Sequence, residues 1–281
     1  MLQRMFAVGS SMVMAVTLTF GADVWTYSSS LSASTSLTAA QVIEKNVTAR
    51  GGLAAWKSVE ALSMSGKLEA GGNDQPDKGT PVKIGGQVIP ERRPATQVQL
   101  PFRMELKRGY KSRIEIDFRG QTAIQVYDGS NGWKLRPFLN RHQVEQFTAE
   151  EMKAAAKQAE LDGPLVDYAA KGTRAELEGT EQVEGKTAYR LKLTLKNGET
   201  QRLWIDSESF LETKIEGTPR RLDGKYHAVE VYYRDYKIVN GLQISYLTET
   251  KVDGVKQTEK ITIEKVAVNP KLDDTRFAKL L

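Results

Sequence analysis

FRMELKRGYKSRIEIDFRGQTAIQVYDG, residues 102–129, decides the fold class. Phe102, Met104 and Leu106 alternate with Arg103, Glu105 and Lys107. Ile114, Ile116 and Phe118 alternate with Arg113, Glu115, Asp117 and Arg119, and Thr122, Ile124 and Val126 form a third run. Alternation with period two marks strands with one dry and one wet face. Arg108-Gly109, Arg119-Gly120 and Asp128-Gly129 punctuate the runs as hairpin turns do. The stretch therefore predicts an antiparallel meander.

The same grammar extends in both directions. Upstream, Leu62, Met64, Gly66 and Leu68 alternate with Ser63, Ser65 and Lys67; downstream, Asn131-Gly132 turns into Trp133 and Leu135. Later runs carry Tyr189, Leu191, Leu193 and Leu195, then Leu203 and Ile205, then Leu211, Thr213 and Ile215. Val229, Val231 and Tyr233 follow, then Leu242, Ile244 and Tyr246, and finally Ile261, Ile263, Val266 and Val268. A meander of this length predicts curling or closure, because open twisted sheets rarely exceed about ten strands.

Three segments break the pattern. Thr38 with Gln41 is a capping box opening a helix whose stripe is Val42, Ile43 and Val47, with Leu53 and Trp56 beyond the break at Gly51-Gly52. Thr148 with Glu151 opens a second helix, 148–161, with an Ala-rich body and a weak apolar face of Met152, Ala156, Ala159 and Leu161. Asp162-Gly163-Pro164 stops it, and Leu165, Val166 and Tyr168 follow. The stretch 71–101, rich in Gly and Pro, reads as a long mobile loop.

Composition removes whole classes of chemistry. Cysteine is absent, which excludes disulfide scaffolds, thiolate metal sites and Cys nucleophiles. His142 and His227 are the only histidines, too few for a His-rich metal centre, and neither has an obvious partner in sequence. No nucleophile-elbow, zinc-protease, P-loop or dinucleotide motif in its proper context is present. Glu115 and Asp117 lie on one strand face about 7 Å apart, which suits a solvated face. Asp273 and Asp274 suit a cap on the C-terminal segment. The formal charge of +5 is too mild to indicate nucleic acid.

The N-terminus is an address. Arg4 is the only charge before Asp23, and the stretch between is apolar but diluted by Gly, Ser and Thr. Residues 1–22 read as a secretory signal peptide, with cleavage as late as residue 33; an uncleaved membrane anchor is the competing reading. Residues 23–37 are a flexible Ser-rich segment, and 38–281 a single domain. Removing the signal takes away Arg4 and no acid.

The phrases VTARGGL (47–53) with Trp56, PFRMEL (101–106), QVYDG (125–129) and NGW (131–133) come in a telling order. They are followed by LDGPLVDY (161–168), AYRLKL (188–193), WID (204–206), DYK (235–237) and NGL (240–242). Over about residues 38–277, this order resembles the LolA/LolB-like periplasmic lipoprotein carriers, and most closely the outer-membrane lipoprotein-sorting group. The resemblance implies an α+β fold that is mainly β: a strongly curved, half-open antiparallel β-barrel with helices on its concave side. It implies a periplasmic carrier, a monomer, holding acyl chains of lipids or lipoproteins for transfer toward the outer membrane. An inner-membrane transporter and an outer-membrane acceptor would be its partners. It implies no catalytic residue, no metal and no cofactor.

The cavity-lining residues expected on this basis come from every part of the chain. They are Trp56 beyond the first helix, Met64, and Phe102, Met104 and Leu106. Ile114, Ile116, Phe118, Ile124 and Trp133 continue the set along the meander. Met152 and Leu161 come from the second helix, Leu165 and Tyr168 from the segment after it, and Leu191, Leu193 and Trp204 from the second half. The 148–161 helix would be the lid, and Arg50 its latch through backbone contacts. The 71–101 stretch departs from the shorter carriers. Burying a methylene is worth about 0.8 kcal/mol, so an acyl chain crossing water needs such a shelter. Two other readings compete: an envelope sensor or binding module with the same fold, and a hydrolase using Glu115 and Asp117.

Overall fold

The computed structural model describes residues 37–70, 82–84, 87–89, 97–137, 140–222 and 224–280. The signal-peptide and Ser-rich segments lie outside the described residues, except for Leu37, which packs partly buried against the core.

Helix α1 (Ala39–Ala49) starts at the capping box read from sequence: Gln41 N donates to Thr38 Oγ1 at 3.3 Å, and Thr38 N donates to Gln41 Oε1 at 2.9 Å. It buries Val42, Ile43, Asn46 and Val47. The chain breaks at Gly51 and resumes as a short helix α2 (Leu53–Lys57). Gly51 has φ +116°, and a Cβ there would sit 2.5 Å from the Gly241 carbonyl oxygen, so no other residue fits.

Thirteen strands make one antiparallel sheet. The first part supplies β1 (Ala61–Ala70), β4 (Val98–Lys107), β5 (Lys111–Phe118), β6 (Gln121–Tyr127), β7 (Gly132–Arg136) and β8 (Arg141–Gln146). Helix α3 (Ala149–Gln158) intervenes. The second part supplies β9 (Arg174–Val183), β10 (Lys186–Thr194), β11 (Thr200–Asp206), β12 (Glu212–Glu216), β15 (Val229–Val239), β16 (Leu242–Val252) and β17 (Glu259–Val268). Two small hairpins stand apart: β2 (Val82–Ile84) with β3 (Gln87–Ile89), and β13 (Arg220–Leu222) with β14 (Lys225–His227). The stretch 71–101 is thus not loop throughout. It contains the β2–β3 hairpin and the start of β4. Pro101 is tolerated in β4 because the pairing with β5 begins only at Phe102.

Strand order is β8-β7-β6-β5-β4-β1-β17-β16-β15-β12-β11-β10-β9. This corrects the expected barrel. The order is linear, its ends β8 and β9 do not pair, and the sheet is neither closed nor strongly curled. The edges carry the reason. β8 reads RHQVEQ and β9 reads RAELEGTEQV, so both present charged side chains where another strand would have to add.

One face carries the main core. Leu62, Met64 and Gly66 of β1 lie opposite Leu106, Met104 and Phe102 of β4. Leu203 lies opposite Leu191 on one side and Ile215 on the other. Val42, Ile43 and Val47 of α1, together with Trp56, Leu161, Leu165 and Val166, complete this cluster. Each fully buried Leu or Val contributes about 1.5–3 kcal/mol. Helix α3 packs on the same side over β6 and β7, where Ala155 and Ala159 meet Tyr127. On the opposite face a 3-10 turn (Asp274–Phe277), capped by Asp273, buries Phe277. There Arg276 Nε donates to the buried Glu105 Oε2 at 2.6 Å.

Candidate functional site: an apolar cavity closed by paired charges

Between α2, the sheet and the segment after α3 lies a cavity of about 180 Å³. Trp56, Leu62, Met64, Leu106, Leu161, Leu203, Ile215 and Ile244 give its apolar walls. Arg50, Glu212, Tyr233, Tyr236, Gln243 and Ser245 give it a polar end, and Gly163 and Pro164 border it.

Arg50 organises that end. It follows α1, and the break at Gly51 fixes its backbone, so that its carbonyl accepts from Trp56 Nε1 at 3.0 Å and from Gln243 N at 3.0 Å. Its guanidinium lies over the Trp56 ring, 4.3 Å from the centroid. Nη1 donates to the Asp162 carbonyl at 3.0 Å and pairs with Glu212 Oε1 at 3.3 Å. Glu212 also receives the Tyr236 hydroxyl, at 3.0 Å on its backbone oxygen and 3.3 Å on Oε2. Burial, with the Glu212 charge adding to it, pushes the Tyr233 hydroxyl up to about 12 and moves Tyr236 well above the ordinary tyrosine value. Both hydroxyls are neutral at pH 7.

A second set of charges pins the segment that covers the cavity. Arg108 Nη1 donates to Asp162 Oδ2 at 2.6 Å, while its Nη2 and Nε hold the Trp56 and Val59 carbonyls. Lys171 Nζ donates to Asp162 Oδ1 and to the Gly163 carbonyl, both at 2.7 Å, and pairs with Glu160 at 2.8 Å. Burial raises the Asp162 carboxyl, but the hydrogen bonds from Lys171 and Arg108 outweigh it and hold the group below the usual range.

Of the residues expected from sequence, Arg50, Trp56, Met64, Leu106 and Leu161 line this cavity. Leu165, Leu191 and Leu193 are fully buried in the adjoining core, and Phe102 belongs to it too. Met104, Ile116 and Tyr168 are partly buried against that core. Ile114 instead lines a smaller cavity of about 120 Å³ beneath α3, and Met152 packs beside Ala155 under that helix. Phe118 ends β5, with the Arg119 guanidinium 5.1 Å from its ring centroid.

Three more of the expected residues stand on the other face of the sheet. Ile124 lies opposite Glu115, and Trp133 opposite Val126, which itself lies opposite Arg113. Both therefore stand on the face away from Phe102, Met104 and Ile116. Trp204 lies opposite Arg190 and Lys214 and joins Val183, Ala188 and Tyr232 in a separate small cluster, bonded to Glu181 Oε2 at 3.0 Å.

Sequence reading missed Arg108, Asp162, Lys171, Glu212, Tyr236 and Gln243. Arg108 was visible only as a turn residue and Asp162 only as a helix stop. Tyr233 was legible as an inward position of the Val229, Val231, Tyr233 alternation. Glu115 and Asp117 are taken up by Arg113 and Thr122 respectively, at 2.7 and 2.6 Å. Asp273 accepts from Thr275 N, and Asp274 pairs with Lys107 and Lys111. Among the described residues no group of three or more His, Asp or Glu side chains could hold a metal, and no helix is long and apolar enough to cross a membrane.

No family model and no curated protein matches the chain. Solved structures do. A LolA superfamily protein from Nitrosomonas europaea superposes with a TM-score of 0.53 at 14% identity, covering 87% of this chain and 99% of that one. A domain assigned as an outer membrane lipoprotein-sorting protein, from Vibrio parahaemolyticus, gives 0.52 at 10% identity, over 85% and 95%. A DUF1329 family protein from Desulfovibrio piger gives 0.52 at 13% identity, over 84% and 95%. The chain has the fold of the LolA superfamily.

Proposed function

We propose that this protein carries acyl chains of lipids or lipoproteins, sheltering them in the cavity beneath the segment that follows α3. The observation that carries this reading is Arg50, whose guanidinium bridges the Asp162 carbonyl of the covering segment to Glu212 and Trp56 of the wall. At about 180 Å³ the cavity is smaller than the roughly 300–1,000 Å³ typical of sites for drug-sized ligands. An acyl chain enters only when the cover lifts. Lifting breaks the polar contacts of Asp162 and also withdraws Leu161, Leu165 and Val166 from the core, a loss of burial that an entering acyl chain offsets. The fold shared with LolA superfamily structures supports the same reading, as does an N-terminus that reads as an export signal. In this proposal the carrier works in the periplasm.

The test is binding of a fluorescent acyl probe to the full chain, read through Trp56 emission. Saturable binding that alters Trp56 is the expected result. Arg50→Ala should release the probe about tenfold faster, in line with loss of one hydrogen bond from a charged donor. A protein that binds no probe, and carries no lipid in native mass spectrometry when purified from its own envelope, overturns the reading.

A further inference from the structure

The polar end of the cavity has unused hydrogen-bonding groups and balanced charge. Tyr233 lines it, yet its hydroxyl has no hydrogen-bond partner among the described residues. Gln243 lines it too, and its Oε1 is enclosed without a partner. An enclosed polar atom left unbonded is costly, so a ligand that satisfies Gln243 Oε1 recovers that penalty, while the Tyr233 hydroxyl beside it is available to donate. The charges around them cancel: Arg50 pairs with Glu212, Arg108 with Asp162, and Lys171 with Glu160 and Asp162. Three cations face three carboxylates, so no cation is left over for an anionic headgroup. A carboxylate or phosphate placed there would be desolvated without a counter-charge.

We propose that this end is a carbonyl site, which takes an acyl chain through the neutral amide or ester group that attaches it and rejects the free fatty acid. The Tyr233 hydroxyl donates to the acyl carbonyl oxygen, while Gln243 Oε1 accepts from an amide N–H where one is present. The apolar walls hold the chain behind. The burial that keeps Tyr233 protonated keeps it a donor. This proposal rests on the acyl-binding reading above and adds the chemistry of the attached end.

The experiment compares an N-palmitoyl peptide amide, monopalmitoylglycerol and palmitate on the full chain. Both neutral compounds should bind at least tenfold more tightly than palmitate. Tighter binding of the peptide amide marks a lipopeptide source, tighter binding of the glycerol ester a glycerolipid source, and either supports the site. Tyr233→Phe, which removes an unbonded hydroxyl and should fold normally, should weaken the neutral compounds about threefold to tenfold and leave palmitate unchanged. Glu212→Gln leaves Arg50 uncompensated and should raise palmitate affinity relative to the neutral compounds. Palmitate binding as tightly as the ester, or a Tyr233→Phe protein indistinguishable from wild type, overturns the carbonyl site while leaving acyl binding intact. Failure of every palmitoyl compound overturns both readings.

Discussion

Helices α1 and α3 begin alike and are held differently. Each opens with a threonine capping box, Thr38 with Gln41 and Thr148 with Glu151, and they span 11 and 10 residues. α1 buries Val42, Ile43, Asn46 and Val47 in the main core, and its Asn46 side chain donates to the Phe210 carbonyl at 2.8 Å. α3 buries Ala155 alone along its length and leaves a cavity beneath it. Charges secure its ends instead: the buried Lys134 pairs with Glu151 at the start, and the Asp162 cluster follows the finish. Local sequence starts a helix, but burial decides how firmly it is held.

The contrast can be broken in graded steps. Ile43→Ala should cost about 2–5 kcal/mol in chemical denaturation, because it opens a cavity in a packed core. Asp162→Asn should cost less, about 1–3 kcal/mol, and should speed amide exchange in α3 while leaving α1 protected. The same carboxylate gives the acid limb its sign. Its pKa is held down in the folded state, so its stabilisation is full above the unfolded value near 3.9 and is lost as pH falls through the folded value. Wild type should therefore lose more stability than Asp162→Asn below about pH 4 in thermal melts. The smallest effect is expected for Ala155→Gly, about 1 kcal/mol, mostly helix propensity. A cost for Ala155→Gly equal to that of Ile43→Ala would erase the distinction between the helices.

Much of the fold could be read from alternation and turn chemistry. The capping boxes, the runs of β4 to β6 and the break at Gly51-Gly52 stand where the residues indicate. What failed was pairing of faces across turns. Arg119 and Gly120 both have positive φ and form a two-residue turn that sets Phe118 opposite Gln121. That register sends Ile124 and Val126 to the face of Arg113 and Glu115, and Trp133 follows them. The apolar residues of successive strands do not share one side simply because each strand alternates. For the same reason Lys134, which lies between Trp133 and Leu135, is buried beneath α3. The charged cluster at Asp162 was illegible because its members, Arg108, Lys171 and Glu160, meet only through tertiary packing. Closure was inferred from strand count, and the charged edges of β8 and β9 carried the opposite information.

The position of β1 has a consequence for how the molecule comes into being. β1 lies between β4 and β17, so the centre of the sheet joins the first strand made to the last one. Until β17 emerges, β1 and β16 each present an unpaired edge. Loss of the last strand would therefore split the sheet at its middle rather than trim its rim. A nascent chain held by a chaperone until β17 has emerged would escape the aggregation that such edges invite.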